Sequence, residues 1–286
     1  AIYCASDVSA IIEKTAKVVH LDDGDVATLS CDGYKIYDTS GKTVSRRVST
    51  SRIAHSDIAL GGHKHFMHKE VYEQPQAIND TLSIALAGES INPNLFGSTA
   101  GKIFSSINSI TILGCGTSYH AGLTARYWIE DLAGIPCNVE ISSEYRYRNR
   151  PPEQDNLVIV ASQSGETADT IAALQQALSF KENCSLAICN VPESSLVRLS
   201  HLKFLTRAGP EIGVASTKAF TTQLVSFFLL AITLAKAKGK LTQNQEDNHL
   251  TLLKKLPSLI KTALALEKAI KGWADIFSTK NNCIFL

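Results

Sequence analysis

The chain of 286 residues is long enough for one large domain together with part of a second. Hydrophobic residues make up 44% and charged residues 19%, a composition that argues against global disorder. Lysine and arginine number 28 against 27 aspartate and glutamate residues, so the charge gives no support for a dedicated binder of nucleic acid or of an anionic membrane.

The cysteines indicate a reducing compartment. There are 7 of them, an odd number that cannot pair completely within the chain, and no two form a CxxC motif. We therefore expect reduced thiols and a cytoplasmic location. The longest apolar run, residues 225–235, is too short to span a bilayer and predicts a buried core helix.

Residues 1–50 predict a small antiparallel β region. Short alternating runs at 17–21, 25–30 and 34–37 are separated by turns rich in aspartate and glycine, a pattern typical of hairpins. Because strands of this size are weak alone, we expect them to extend a larger sheet. The polar, irregular residues 51–68 are predicted to be a linker.

From residue 69 the pattern changes to that of an α/β protein. Residues 70–86 predict a helix with a break near Pro75. Beyond it, short apolar runs alternate with helical stretches, giving strands at 110–113, 137–141, 157–161, 185–189 and 203–206, and helices at 118–132, 167–180, 216–238 and 243–271. This alternation predicts a doubly wound, mainly parallel sheet with helices on both faces.

Three polar loops precede helices of this predicted array. They are residues 114–118 (GCGTS), 162–167 (SQSGET) and 213–217 (GVAST). Free backbone N–H groups at a helix start bind anions, and loops at the carboxyl ends of parallel strands converge on one edge. The loops therefore predict a phosphate site, although each hydroxyl could equally serve only as a helix cap. Tyr119 stands where a dinucleotide-binding fingerprint needs glycine, which argues against that class.

Two further polar clusters are interpreted as structural. His63, His65 and His68 have a spacing that suits no standard zinc pattern, so we expect a solvated segment. Glu144 alternates with tyrosines and with Arg146 and Arg148, which predicts a salt-bridge ladder at a surface or interface.

Several motifs together resemble one known family. The segments at 115–118 (CGTS), 162–170 (SQSGETADT) and 211–220 (EIGVASTKAF) resemble the first sugar-isomerase (SIS) subdomain of the glucosamine-6-phosphate synthase family, and 69–75 (KEVYEQP) resembles its interdomain segment. Residues 1–50 resemble the C-terminal part of that family's Ntn-type glutaminase domain. The resemblance thus implies an SIS-type fold for residues 69–286, cut at its C-terminal end, and we interpret the chain as a fragment.

The resemblance also implies a reaction. Fructose-6-phosphate is aminated with glutamine-derived ammonia and isomerised to glucosamine-6-phosphate by a cytoplasmic homodimer, without metal or organic cofactor and without nucleic acid or membrane. Glutamine would act only in the full-length enzyme. The family's catalytic residues lie outside this chain, so we expect it to bind sugar phosphate but to be inactive alone. The alternative is a sugar-phosphate-sensing SIS module without catalysis.

The resemblance finally assigns ligand contacts. Ser162, Gln163, Ser164 and Thr167 are expected to hold the phosphate. The remaining contacts are to the sugar, from Thr117, Ser118, Val214 and Ser216.

Overall fold

A computed structural model describes residues 1–5, 8–22, 24–51, 59–86, 88, 90–149, 151, 154–180 and 183–284. The chain divides into two compact units, Ala1–His63 and Lys64–Leu286. Each unit is taken by itself below. Of the predicted linker, residues 52–58 lie outside the described part of the chain.

The described residues of the first unit form five short strands. They are β1 (Lys17–Val19), β2 (Val26–Ser30), β3 (Gly33–Tyr37), β4 (Thr43–Val44) and β5 (Val48–Thr50). All pairings are antiparallel, and the hairpin between β2 and β3 turns near the predicted position. The expected extension of a larger sheet is wrong for the described residues, because the strands form one sheet of 2 and another of 3. Strands this short offer few ladder hydrogen bonds to a neighbour.

The second unit is built on a parallel sheet, as predicted. Its strands are β6 (Ser109–Gly114), β7 (Cys137–Ile141), β8 (Asn156–Ser162), β9 (Cys184–Cys189) and β10 (Leu202–Leu205). Their spatial order is β7–β6–β8–β9–β10, and every pairing is parallel. The central strand β8 is buried along its whole length.

Helices cover both faces of this sheet. They are α1 (Phe66–Ala85), α2 (Ala100–Ser106), α3 (Thr117–Trp128), α4 (Ser142–Tyr145), α5 (Ala168–Leu178), α6 (Ser195–Leu199), α7 (Lys218–Ala237), α8 (Gln243–Leu264) and α9 (Glu267–Phe277). Alternate residues of β8 point to opposite faces. Ile159 packs in a cluster with residues of α1, α3 and α7, whereas Val158 and Val160 pack with residues of α5 and α6. The predicted doubly wound architecture is confirmed.

Two helix predictions need correction. No break occurs near Pro75, which lies inside α1. Proline cannot donate to the carbonyl four residues back. The side chain of Gln74 replaces that bond by donating from Nε2 to the Val71 oxygen at 2.9 Å.

The second correction concerns the C-terminal helices. The single helix predicted at 243–271 is two helices, α8 and α9. The second begins at Glu267, whose carboxylate accepts a hydrogen bond from Tyr72 of α1 at 2.6 Å. This tertiary contact lies at the point where α9 begins.

Helix α7 is the central apolar helix of the second unit. By length and composition alone it could cross a membrane, but 78% of its most apolar stretch is buried within the fold. Phe227, Leu230 and Ile232 are completely buried in the cluster that covers the sheet. The prediction of a core helix around residues 225–235 is confirmed.

Candidate functional site

The strand order reverses between β6 and β8, and the space beyond the carboxyl ends of these two strands is called the crevice below. Strand β6 pairs with β7 on one side and with β8 on the other, so the chain moves in opposite directions after these two strands. In open parallel sheets, ligands bind at the carboxyl ends of strands where the order reverses in this way. The Sγ atom of Cys115, after β6, lies 4.0 Å from the Oγ1 atom of Thr170 in α5, which follows β8. Two of the three predicted loops are therefore neighbours.

The loop after β8 is held by its own hydroxyl groups. The buried Oγ atom of Ser162 lies 3.1 Å from Oγ1 of Thr167 and accepts a hydrogen bond from the Gly165 amide at 3.0 Å. Oγ of Ser164 accepts one from the Glu166 amide at 3.2 Å. Thr167 is the N-cap residue of α5, yet its side chain makes no capping bond. The hydroxyls therefore shape the loop and do not close the helix end, which favours the anion-binding interpretation over simple capping.

Gly165 sets the fit of this loop against the next one. Its φ of +67° lies in the left-handed region, and a Cβ atom there would stand 2.1 Å from Oγ of Ser194. The Gly165 oxygen accepts from the Leu196 amide at 3.1 Å. The nearby Cys189 thiol is buried, which raises its pKa to about 12. Cys189 is therefore a neutral packing residue and not a nucleophile.

The loop after β6 places Ser118 in the first turn of α3. Ser118 is buried, and its Oγ atom accepts a hydrogen bond from Nε2 of Gln223 in α7 at 3.0 Å. Thr117 is half-buried beside it. Gly116 is the N-cap residue and offers no side chain, so the start of α3 lacks a side-chain cap as well.

The loop before α7 differs from the other two because a carboxylate occupies the helix start. Oε1 of Glu211 accepts hydrogen bonds from the amides of Thr217 and Ala219 at 2.9 and 3.1 Å. Oε2 of the same residue accepts from Oγ of Ser216 at 2.9 Å. Val214 is fully exposed. Negative charge already satisfies this helix end, so this loop is not a free anion site.

The sequence reasoning missed a set of charged residues that fixes this loop. The buried carboxylate of Glu70 accepts from the amides of Ile212 and Gly213 at 2.6 and 3.0 Å. The buried ammonium group of Lys218 donates to Oε2 of Glu73 at 2.6 Å. The available signal was that the motifs at 69–75 and 211–220 each carry acidic and basic residues next to apolar helical stretches, where buried charges need partners.

The polar clusters interpreted as structural have different partners from those expected. Arg146 pairs with Asp169 at 2.7 Å and Arg148 with Glu140 at 3.3 Å, so neither of these ion pairs involves Glu144. His68 lies 3.3 Å from a carboxylate oxygen of Glu267. Among the described residues no three histidine, cysteine or acidic side chains form a metal-binding group.

A groove lies away from the three loops, between α1 and the helices α8 and α9. Its volume is about 860 Å³. Tyr72, Pro75 and Gln76 line one wall, and Pro257, Lys261 and Glu267 lie on the other. The groove contains none of the predicted site residues.

A comparison with protein families matches the part of the chain that carries the three loops. The family model described as the SIS domain matches residues 103–233, the stretch that carries the loops after β6 and β8. These residues form a SIS domain. The third loop lies within the same match, at the start of α7.

Two relatives and one solved structure extend this result. Glutamine–fructose-6-phosphate aminotransferases (isomerizing) of Bordetella parapertussis and Neisseria meningitidis serogroup A are each 51% identical over 99% of this chain. The chain spans about half the length of these relatives, 46% of each. The C-terminal domain of glucosamine-fructose-6-phosphate aminotransferase from Francisella tularensis has 46% identity and a TM-score of 0.75, covering 78% of this chain and 62% of that one.

Proposed function

We propose that the SIS domain binds fructose-6-phosphate or glucosamine-6-phosphate in the crevice between β6 and β8. The observation that carries this proposal is the hydroxyl-rich loop 162–167, which opens α5 without capping it. A phosphate needs several convergent donors, and the start of a helix adds backbone N–H groups and a positive dipole end. Relatives named for fructose-6-phosphate support this choice of ligand.

The proposed contacts divide between phosphate and sugar. Ser162, Gln163, Ser164 and Thr167 surround the phosphate, and two other loops contact the sugar through Thr117, Ser118, Val214 and Ser216. Loop 211–217 is tied to the carboxylates of Glu70 and Glu211, so its backbone is ordered before a ligand arrives. Such preorganisation lowers the entropic penalty of binding.

The wider role is the reaction for which the relatives are named. The chain supplies the sugar-phosphate-binding part of an enzyme that aminates and isomerises fructose-6-phosphate with ammonia from glutamine, giving glucosamine-6-phosphate. This enzyme is a cytoplasmic homodimer and uses glutamine only in its full-length form. The relatives carry enzyme names, so they give no support to the alternative of a sensing module.

The central test is calorimetric titration with fructose-6-phosphate, using unphosphorylated fructose as the control ligand. The hydrogen bonds to phosphate distinguish the two ligands, so fructose should bind far more weakly. Ser164→Ala removes one donor to a charged group, worth about 1.5–3 kcal/mol, and should weaken binding by roughly tenfold or more.

Ser179→Ala is the matched control variant. Ser179 lies at the opposite end of α5, where its hydroxyl donates to the Gln176 oxygen at 2.7 Å. This variant should bind like the wild type. Equal affinity of Ser164→Ala and wild type would contradict the phosphate assignment, and equal binding of fructose and fructose-6-phosphate would contradict the proposed ligand class.

A further inference from the structure

A buried glutamine connects two of the helices that border the crevice. Gln223 lies in the second turn of α7 and is 2% exposed. Its Nε2 atom donates to Oγ of Ser118, in the first turn of α3, at 3.0 Å. No motif interpretation assigned a role to this residue, although it stands three residues beyond the motif at 211–220.

The amide oxygen of this glutamine is unusual for a core side chain. Oε1 of Gln223 is buried and has no hydrogen-bond partner among the described residues. An unmade bond to a buried acceptor destabilises the fold, whereas an apolar side chain of similar length would fill the same space without that penalty. Packing alone therefore favours methionine over glutamine at this position. The polar contact that distinguishes the glutamine is its bond to Ser118.

The direction of that bond determines whether the Ser118 hydroxyl can donate a hydrogen bond to a ligand. A serine hydroxyl has one proton, and a glutamine NH₂ group can only donate. Oγ of Ser118 accepts a hydrogen bond from Gln223. The proton of the Ser118 hydroxyl therefore points away from Gln223 and remains available for another acceptor. Ser118 lies in the first turn of α3, just after the carboxyl end of β6 and beside the crevice, so that proton can be donated to a ligand oxygen.

We infer that Gln223 is a positioning residue of the sugar-phosphate site, which holds the Ser118 hydroxyl as a hydrogen-bond donor to an oxygen of the sugar. This inference rests on the proposed function and refines it. The phosphate group is held by the other loop, so Gln223 should influence recognition of the sugar and leave recognition of the phosphate unchanged.

The test compares two ligands in calorimetry, fructose-6-phosphate and inorganic phosphate. Gln223→Met removes the bond to Ser118 and keeps the length of the side chain. Affinity for fructose-6-phosphate should fall about two- to tenfold, the effect of one neutral hydrogen bond, with no change for inorganic phosphate. Gln176→Met is the matched control, since Gln176 also donates through Nε2, to the Arg148 oxygen at 2.9 Å, outside the three loops.

A second variant gives a readout that a purely structural role would not move. In Gln223→Glu, an ionised carboxylate only accepts, so it takes the Ser118 proton away from the ligand, whereas the protonated acid can donate as the amide does. Burial raises the pKa of a carboxyl group. Fructose-6-phosphate affinity relative to wild type should therefore recover as the pH is lowered. This variant also serves if Gln223→Met fails to fold.

A double-mutant cycle completes the test. If Gln223 acts through Ser118, the double variant S118A/Q223M should bind no more weakly than Ser118→Ala alone. Additive losses, equal losses for both ligands, or unchanged affinity in Gln223→Met would each overturn the inference while leaving the proposed function intact. A wild-type chain that binds neither sugar phosphate would overturn both.

Discussion

At the scale of single residues, Gly165 determines the shape of loop 162–167 through the side chain that it lacks. Its φ of +67° is left-handed, and a Cβ atom at this position would lie only 2.1 Å from Oγ of Ser194, so both features exclude larger residues. Ser194 is buried and therefore has little space to move away. The backbone of loop 162–167 thus depends on this glycine.

Gly165→Ala should destabilise the second unit and disrupt its ligand loop. The positive φ alone costs roughly 1–2 kcal/mol in a residue with a Cβ, and overpacking against Ser194 adds about 1–3 kcal/mol. Gly239→Ala is the control, because its φ is +65° and a Cβ there meets nothing within 4 Å. Urea unfolding should show a larger loss for Gly165→Ala. Equal losses in the two variants would show that strain, and not the contact with Ser194, dominates.

Residue identities in the loops could be predicted from the sequence, but their partners could not. Hydroxyls at helix starts marked the loop 162–167 because small polar residues followed an apolar run. The bonds from the Ile212 amide to Glu70 and from Gln223 to Ser118 join residues 142 and 105 positions apart. Local patterns carry no information on such contacts, which the packing of α1, α3 and α7 decides.

At the scale of elements, α9 is tied to α1 through one carboxylate. Glu267 accepts a hydrogen bond from Lys271 in its own helix and one from Tyr72 in α1, and it also contacts His68. These contacts lower the pKa of Glu267 from 4.5 to about 2, with the Lys271 bond the largest cause. Tyr72 and Glu267 both line the groove between α1 and the helices α8 and α9.

Because of the Glu267 carboxylate, the contact between α1 and α9 is expected to weaken in acid. Because the pKa of Glu267 is lower in the folded chain, its stabilising contribution is present above a pH of about 4.5 and is lost as the pH falls toward about 2. Urea unfolding midpoints should therefore fall less steeply with acid in Glu267→Gln than in wild type. Glu144→Gln, at an exposed position, is the control and should follow the wild-type curve. Parallel curves for all three proteins would contradict this role of Glu267.

Strands and helices were largely predictable, and the exceptions have tertiary causes. Each strand of the parallel sheet was predicted to within one residue at either end, because the strands of a sheet covered on both faces are short and mostly apolar. The continuous α1 was missed since the Gln74 side chain compensates for Pro75. The end of α8 was missed since the start of α9 is set by Tyr72, which belongs to a helix nearly two hundred positions earlier.

At the scale of the whole molecule, α9 leaves an apolar face exposed. Leu266, Ile270 and Trp273 are 58%, 50% and 61% exposed, and Ile276 and Phe277 continue the same face. Large exposed apolar patches bind other apolar surfaces. We expect the isolated chain to self-associate as its concentration rises, as measured by light scattering.

Polar substitution on this face should reverse the association. The double variant Ile270→Gln and Trp273→Gln removes the two central contacts and should scatter as a monomer. Lys268→Gln, in the same helix, is the control and should behave like the wild type. A wild-type chain that stays monomeric at high concentration would contradict the prediction.

The buried central strand leads us to expect different rates of local opening for two of the loops that border the crevice. Amides of β8 are bonded to ladders on both sides, so exchange of their protons with solvent requires opening of the sheet itself. Loop 162–167 is anchored directly to that slow element. Loop 211–217 is held by the side chains of Glu70 and Glu211, so breaking those bonds would release it without opening the sheet. A ligand bound as proposed would thus keep its phosphate on the slow side, while its contacts with Val214 and Ser216 break and form again many times.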